Sequence, residues 1–204
     1  ERQNADDLLS LLMPVIKGYG TDKGYEVCTN MQQVLGGHGY VEEWGMSQRV
    51  RDARIAQIYE GANGIQALDL VGRKIMRDGG GLMLELIAEM KTADVDEAYK
   101  AELIEACDRL ARSTRSIVAR GKNDPHLPGA VSVDYLDMVG MTMCAWVWAL
   151  MASRAPDDDF GVAKNATARY FYDRLLPKTL GLERSIEAEA DAVMEMPQGL
   201  FSPA

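Results

Sequence analysis

Proline, cysteine, histidine and positive charge are all scarce in this chain, and each scarcity closes off a class of protein. There are 7 prolines in 204 residues, too few for a polyproline or linker-rich architecture. The 3 cysteines, Cys28, Cys107 and Cys144, are odd in number, far apart and set in apolar helical patterns. They read as reduced core thiols, not as a disulfide or zinc framework. The 2 histidines, His38 and His126, have no partner at metal-ligand spacing, so no metal site is expected. Lysine and arginine number 22 against 31 aspartates and glutamates, a net charge of -9. That balance offers no basic footprint to nucleic acid or anionic lipid. Also missing are strand-length alternation, a P-loop, a G-x-G-x-x-G after a strand, and any readable Ser-His-Asp or Cys-His arrangement. The longest apolar run, 138–152, falls short of the ~20 residues of a membrane span. A buried helix of a soluble, cytoplasmic protein is expected there.

Alanine, leucine, methionine, glutamate and arginine recur throughout, and 47% of residues are hydrophobic, a composition that favours helix and a packed core. The length suits one sizeable domain or two small ones. The first residue is Glu1, and a piece of a longer protein is the expected reading. A first helix is predicted over 5–17, kinked or closed by Pro14. Thr21 and Asp22 offer caps to a second helix with Tyr25, Cys28, Met31 and Leu35 on one face. Gly36-Gly37-His38-Gly39 stops it. A charged helix covers 48–58, and Asn63 is a candidate cap for a run with Ile65, Leu68, Val71 and Ile75. Asp78-Gly79-Gly80-Gly81 is the clearest punctuation and predicts a boundary between domains 1–78 and 82–204. Helices follow over 82–91, 96–120, 132–153 and 160–176, the last with Tyr170 and Phe171 inward. Pro177 opens a final helix to about 195. The fold class is all-α, closing as an antiparallel bundle with Trp146 and Trp148 near its core and rim. The 12 methionines read as filling for an irregular core.

Two short stretches stand out chemically. Three glycines within Gly36 to Gly39 exceed what a helix end needs, and bare backbone amides there could meet phosphate or carbonyl oxygens. In Ile58-Tyr59-Glu60-Gly61-Ala62-Asn63-Gly64 a carboxylate sits in a loop before a helix. Spacing alone favours a carboxylate placed for the helix dipole. Desolvation beside Tyr59 and Ile58 would instead suit Glu60 to act as a base. Arg49, Arg51 and Arg54 with Asp52 read as a solvated or intersubunit ion-pair network.

Taken together, the two stretches closely resemble the C-terminal helical region of acyl-CoA dehydrogenases. The family pattern Q-x-x-G-G-x-G-Y/F is met by Gln33, Gly36, Gly37, Gly39 and Tyr40. About twenty residues later R-D-x-x-I-x-x-I-Y-E-G-T is met by Arg51, Asp52, Ile55, Ile58, Tyr59, Glu60 and Gly61, with Ala62 in place of the threonine. Gly64 stands where many relatives carry glutamine. The resemblance is strong over 1–78. From 82 onward the chain is similar to the extra helical domain of a larger-subunit branch, which includes enzymes like 3-methylmercaptopropionyl-CoA dehydrogenase.

The resemblance implies a flavoprotein that oxidises an acyl-CoA thioester to the 2-enoyl-CoA. Glu60 would take the α-proton, and its own N–H would be one donor to the thioester oxygen, the other coming from the flavin ribityl chain. Tyr59 and Gly61 would border the substrate. Gln33, Gly36 and Gly37 would contact the adenosine and pyrophosphate of FAD across a dimer interface, and the backbone of Ala62, Asn63 and Gly64 would approach the same cofactor. The implied partners are an electron-transfer flavoprotein and a second copy, in a homodimer or dimer of dimers. The 204-residue chain alone is expected to be inactive, because the family's N-terminal and β-domains are not in it. An acyl-CoA oxidase using the same base, and a non-catalytic helical interaction module, are the alternatives.

Overall fold

Apolar residues recurring every three or four positions wind the chain into helices, and the computed structural model, which describes residues 2–201, has no strand among them. Its order is α1 (Arg2–Val34), the short α2 (Gly37–Tyr40), α3 (Met46–Ala56), α4 (Asn63–Leu68), a π-helical stretch Asp69–Ile75 and α5 (Met76–Asp78). Then come α6 (Gly81–Thr92), α7 (Glu97–Gly121), α8 (Leu127–Ala152), α9 (Asp159–Tyr170), α10 (Thr179–Ile186) and α11 (Asp191–Met194).

α8 is the central element. It packs on α7, α10, α4, α1 and α9, and Tyr135, Met138, Val139, Ala145 and Ala149 along it are fully buried. α7 answers with Leu103, Cys107, Leu110 and Ile117, all on one stripe, as their spacing predicts. Leu11, Val15 and Tyr19 of α1 and Leu70, Val71 and Ile75 of the π-helical stretch enter the same continuous core. The α1–α8 crossing is close because Gly140 carries no side chain. A Cβ there would stand 2.3 Å from the Tyr19 ring.

α8 runs for 26 residues and begins at Leu127, five residues earlier than its apolar pattern suggests, with Pro128 in the first turn where a missing N–H is harmless. By length and composition it could cross a membrane. Its central place in the packing accounts for that composition.

Two sets of buried polar groups in the core are paired, whereas the Ser113 hydroxyl and the Trp146 indole N–H have no partner among the described residues. Thr114 Oγ1 donates to the Leu110 carbonyl at 2.8 Å, so Tyr135 is the donor in the 2.7 Å bond between the two hydroxyls. Burial pushes the Tyr135 phenol well above its ordinary value. The buried guanidinium of Arg109 reaches Thr179 Oγ1 and Glu105 Oε1, each at 3.2 Å.

The structure corrects four expectations. α1 is one helix, not two. Pro14 is buried inside it, and the contacts of Leu11, Val15 and Tyr19 outweigh the helix cost of proline and the neighbouring glycines. Thr21 therefore caps nothing, and its hydroxyl bonds back to the Lys17 carbonyl at 2.6 Å. Asn63 is likewise the first residue of α4 and Ala62 the cap. Tyr170 is 59% exposed. The inward stripe falls on Ala168, Phe171 and Tyr172, so residue 170 lies opposite, and Tyr172 instead donates to the Ala145 carbonyl at 2.9 Å. The helix expected from Pro177 to about 195 is broken. α10 ends at Ile186 and α11 follows at Asp191, and at the break Arg120 takes the carbonyls of Ile186 at 3.0 Å and Ala188 at 2.7 Å.

Candidate functional site

The glycine cluster follows the C-terminal turn of α1. Gly36 turns the chain with φ 58°, and its N–H bonds the Gln33 carbonyl at 3.0 Å. Gly39 is buried, and a Cβ there would lie 2.2 Å from the Gln32 carbonyl oxygen, which fixes glycine by close approach. Gln32 Nε2 bonds the Gly39 carbonyl at 3.1 Å and closes the turn. Gly37 is under neither constraint. Its φ is ordinary, it is exposed, and a Cβ would meet nothing within 4 Å. The fold of this chain does not require a glycine at 37, which leaves its bare backbone open to a ligand. Gln33 is exposed beside it. His38 lies 5.1 Å from the Trp44 ring, and no cluster of three potential metal ligands exists among the described residues.

The Glu60 loop joins α3 to α4. Ile58 and Tyr59 donate back to the Ile55 carbonyl at 3.0 and 3.1 Å, after which the chain leaves the helix. Glu60 then takes φ 54°, the one positive φ outside glycine among the described residues, and Gly61 follows at 86°. A non-glycine residue in the left-handed region carries strain of ~1 kcal/mol or more and persists only where its surroundings fix it. Gln66 Nε2 bonds the Glu60 carbonyl at 3.1 Å, and the Asn63 N–H bonds the Gln57 carbonyl at 3.1 Å. The amides of Glu60, Gly61 and Ala62 have no acceptor among the described residues, and the Glu60 carboxylate has no cation or donor beside it.

The carboxylate is exposed, and Ile58 and Tyr59 are each 50% exposed, so their side chains do not desolvate it as expected from sequence. The arginines are solvated as expected, but Asp52 is not their partner. Arg51 grips Glu42 with two bonds of 2.9 and 3.0 Å, and Arg54 bonds Gln57 Oε1 at 2.7 Å, neither pairing with Asp52. The Arg51 guanidinium holds the Glu42 carboxyl below its usual range.

Residues 59–64 thus share one loop, whereas Gln33, Gly36 and Gly37 sit at the far end of α3. The eleven residues of α3 separate the two places by roughly 16 Å at 1.5 Å per residue.

A set of residues missed in the sequence anchors the loop. Asn63 Nδ2 lies 2.6 Å from Asp22 Oδ1, 2.9 Å from Thr21 Oγ1 and 3.0 Å from the Gly18 carbonyl, while Lys17 Nζ donates to Asn63 Oδ1 at 2.8 Å. Gln57 Nε2 reaches the same Asp22 Oδ1 at 2.5 Å. The side chain of Asn63 is fully used, and its backbone N–H is spent on the Gln57 carbonyl. An apolar groove of about 420 Å³ between α1 and α8, lined by Val15, Tyr19, Met143, Cys144 and Trp148, brings no reactive pair together. Burial raises the Cys144 thiol above its usual value.

Two known family models match successive parts of the chain. Residues 1–76 match the family described as acyl-CoA dehydrogenase, C-terminal domain, and residues 83–197 match acetyl-CoA dehydrogenase C-terminal like. The chain is 34% identical over 209 aligned positions, 95% of its length, to 3-methylmercaptopropionyl-CoA dehydrogenase of Ruegeria pomeroyi, covering 35% of that protein. The chain belongs to the acyl-CoA dehydrogenase family. It is also 28% identical over 94% of its length to a broad-specificity linear acyl-CoA dehydrogenase of Mycobacterium tuberculosis, and 25% identical over 98% to a butyryl-CoA dehydrogenase of Syntrophomonas wolfei. It spans about a third of the length of these acyl-CoA dehydrogenases. The first family region includes the Gln33–Tyr40 and Arg51–Gly61 stretches, and the second begins just after Asp78-Gly79-Gly80-Gly81.

Proposed function

We propose that this chain is the C-terminal part of an FAD-dependent acyl-CoA dehydrogenase, with Glu60 as the base that removes the α-proton of an acyl-CoA thioester. Residues 1–78 would complete the catalytic helical domain, and 82–204 would form the appended one. The observation that carries the reading is the Glu60 loop. A carboxylate without a partner is held in a strained backbone conformation, next to amides that have no acceptor of their own. Strain of this kind collects where a side chain must be aimed.

The chemistry asks for what this loop has. An α C–H bond beside a thioester is weakly acidic, and enolate character builds on the carbonyl oxygen as it breaks. The Glu60 N–H is available to that oxygen, and the Glu60 carboxylate takes the proton. Bound FAD would accept the β-hydrogen with its electron pair, leaving a Cα=Cβ double bond. Closure of the site against substrate would supply the desolvation that Ile58 and Tyr59 do not. Tyr59 and Gly61 border the acyl thioester.

The residues present fit the cofactor. Gly37, free of any constraint from the fold, admits a phosphate or sugar against its backbone, with Gln33 beside it as a donor, and Gly64, whose Cβ would also meet nothing, does the same near the loop. The separation of the two places along α3 suits an arrangement in which Gln33, Gly36 and Gly37 serve the cofactor of a second copy. Reduced cofactor would be reoxidised by an electron-transfer flavoprotein. The 204-residue chain by itself would not turn over.

The test uses the full-length protein purified with FAD. Anaerobic mixing with a panel of acyl-CoAs is expected to bleach the flavin absorbance and yield the 2-enoyl-CoA by mass. A protein that retains FAD but bleaches with no acyl-CoA contradicts the proposal.

A further inference from the structure

A strained loop needs something rigid to hold it, and here that support comes from a helix distant in sequence. The five residues 58–62 leave α3 at Gln57 and enter α4 at Asn63. The base of the loop is closed by the backbone bond from the Asn63 N–H to the Gln57 carbonyl, 3.1 Å. The side chains of the same two residues both turn to α1 and converge on one atom. Gln57 Nε2 is 2.5 Å and Asn63 Nδ2 is 2.6 Å from Asp22 Oδ1. Both contacts join an amide donor to a carboxylate, the stronger class of hydrogen bond.

The orientation of the amide is unambiguous. Lys17 Nζ can only donate, so Asn63 presents its oxygen there at 2.8 Å and its nitrogen to Asp22. The Thr21 hydroxyl spends its proton on the Lys17 carbonyl at 2.6 Å and is therefore free to accept from Asn63 Nδ2 at 2.9 Å. The Gly18 carbonyl is a further acceptor at 3.0 Å. Lys17, Gly18, Thr21 and Asp22 lie on successive turns of an unbroken helix, and that segment is fixed by the burial of Val15 and Tyr19 in the core. The clamp is referenced to the core rather than to the surface.

We propose that Asp22 is the positioning residue for Glu60, its carboxylate binding both ends of the loop so that the backbone of Glu60 is held at positive φ and its side chain is aimed. This rests on Glu60 being the base. Asp22 acts only through the loop; it does not touch the reacting atoms. Without it, Gln57 and Asn63 lose their common acceptor, the loop relaxes toward negative φ at Glu60, and the carboxylate moves away from the α-proton. Misplacement of a reacting group by ~1 Å can cost ~10²-fold in rate.

The experiment uses full-length protein with FAD bound and an acyl-CoA that reduces the wild type. The limiting rate of flavin reduction, the acyl-CoA dissociation constant and the FAD content are measured for Asp22→Ala, Asp22→Asn, Gln57→Met and Glu60→Gln. Asp22→Ala is expected to lower the limiting rate ~10²-fold while acyl-CoA affinity and FAD content stay within about threefold. Asn keeps a carbonyl oxygen that accepts both amides, so Asp22→Asn should restore most of the rate. Gln57→Met, which removes one of the two arms, should lose about tenfold. A wild-type rate in Asp22→Ala, with Glu60→Gln inactive, overturns the clamp and leaves the base in place. Equal loss of rate and of acyl-CoA affinity, unrescued by Asn, also overturns it, because that is the mark of a merely structural residue. If Glu60→Gln reduces flavin at the wild-type rate, the base reading fails and the clamp with it. Should Asp22→Ala not fold, Gln57→Met decides, and a wild-type rate there overturns the proposal.

Discussion

The α7–α8 pair and the Glu60 loop are held together by opposite means. Along α7 and α8 most inward positions are apolar and fully buried. Of the few polar groups, Thr114 and Tyr135 pair with each other inside the core, while Ser113 is left without a partner among the described residues. Around the Glu60 loop residues 58–62 are exposed, and geometry is kept by hydrogen bonds converging on Asp22 and by the Gln66–Glu60 bond. Apolar burial is strong but non-directional, so it fixes where helices lie. Hydrogen bonds add little net stability, about 1 kcal/mol each, yet they fix angles. The comparison teaches that substitutions in the first region should move stability and those in the second should move chemistry.

The largest stability effect should come from Leu110→Ala. The side chain is fully buried, and its removal should lower unfolding free energy by about 3 kcal/mol, read by chemical denaturation. Gly140→Ala should follow at about 2 kcal/mol, since the new methyl would stand 2.3 Å from the Tyr19 ring. The glycine cluster gives the sharpest contrast. Gly36→Ala should cost about 1 kcal/mol, because φ is 58° there. Gly37→Ala should change stability by no more than about 0.5 kcal/mol, yet a methyl on that open backbone should reduce FAD retention by the full-length protein. If Gly37→Ala leaves FAD content untouched, the cofactor role of that backbone is wrong.

The smallest effect concerns Asp137 on α8. Burial raises its carboxyl above the ordinary value, partly offset by Lys23. The folded state therefore favours the protonated form. Stability from this group is greatest below the unfolded pKa, falls as pH rises toward the raised value, and is level beyond it. Asp137→Asn should raise the thermal midpoint by about 2 °C at pH 7 and by nothing near pH 3. Equal midpoint changes at both pH values would contradict the burial argument.

Much of the scaffold was legible in the sequence because local and tertiary signals agree there. Leu103, Cys107, Leu110, Thr114 and Ile117 repeat at helical spacing, and all five are buried in α7. The helix break at Asp78 to Gly81 was equally plain, with φ 68° and 80° at Gly79 and Gly80. Where local and tertiary signals conflict, the reading failed. Pro14, Gly18 and Gly20 argue for a break in α1, and contacts with α8 carry the helix through them. That error hid the clamp, since Lys17, Thr21 and Asp22 form one polar patch only on an unbroken helix. Read as caps, Thr21 and Asp22 had no reason to meet Asn63, forty residues further on. The positive φ of Glu60 was legible only as the presence of Gly61 next to it.

The measurement that tests the account most directly is the rate of anaerobic flavin reduction by an acyl-CoA in full-length Glu60→Gln protein. The account predicts that the variant binds FAD and acyl-CoA normally and reduces flavin at least ~10³-fold more slowly than wild type. Reduction at the wild-type rate would mean that Glu60 is a helix-entry carboxylate and that the base stands elsewhere.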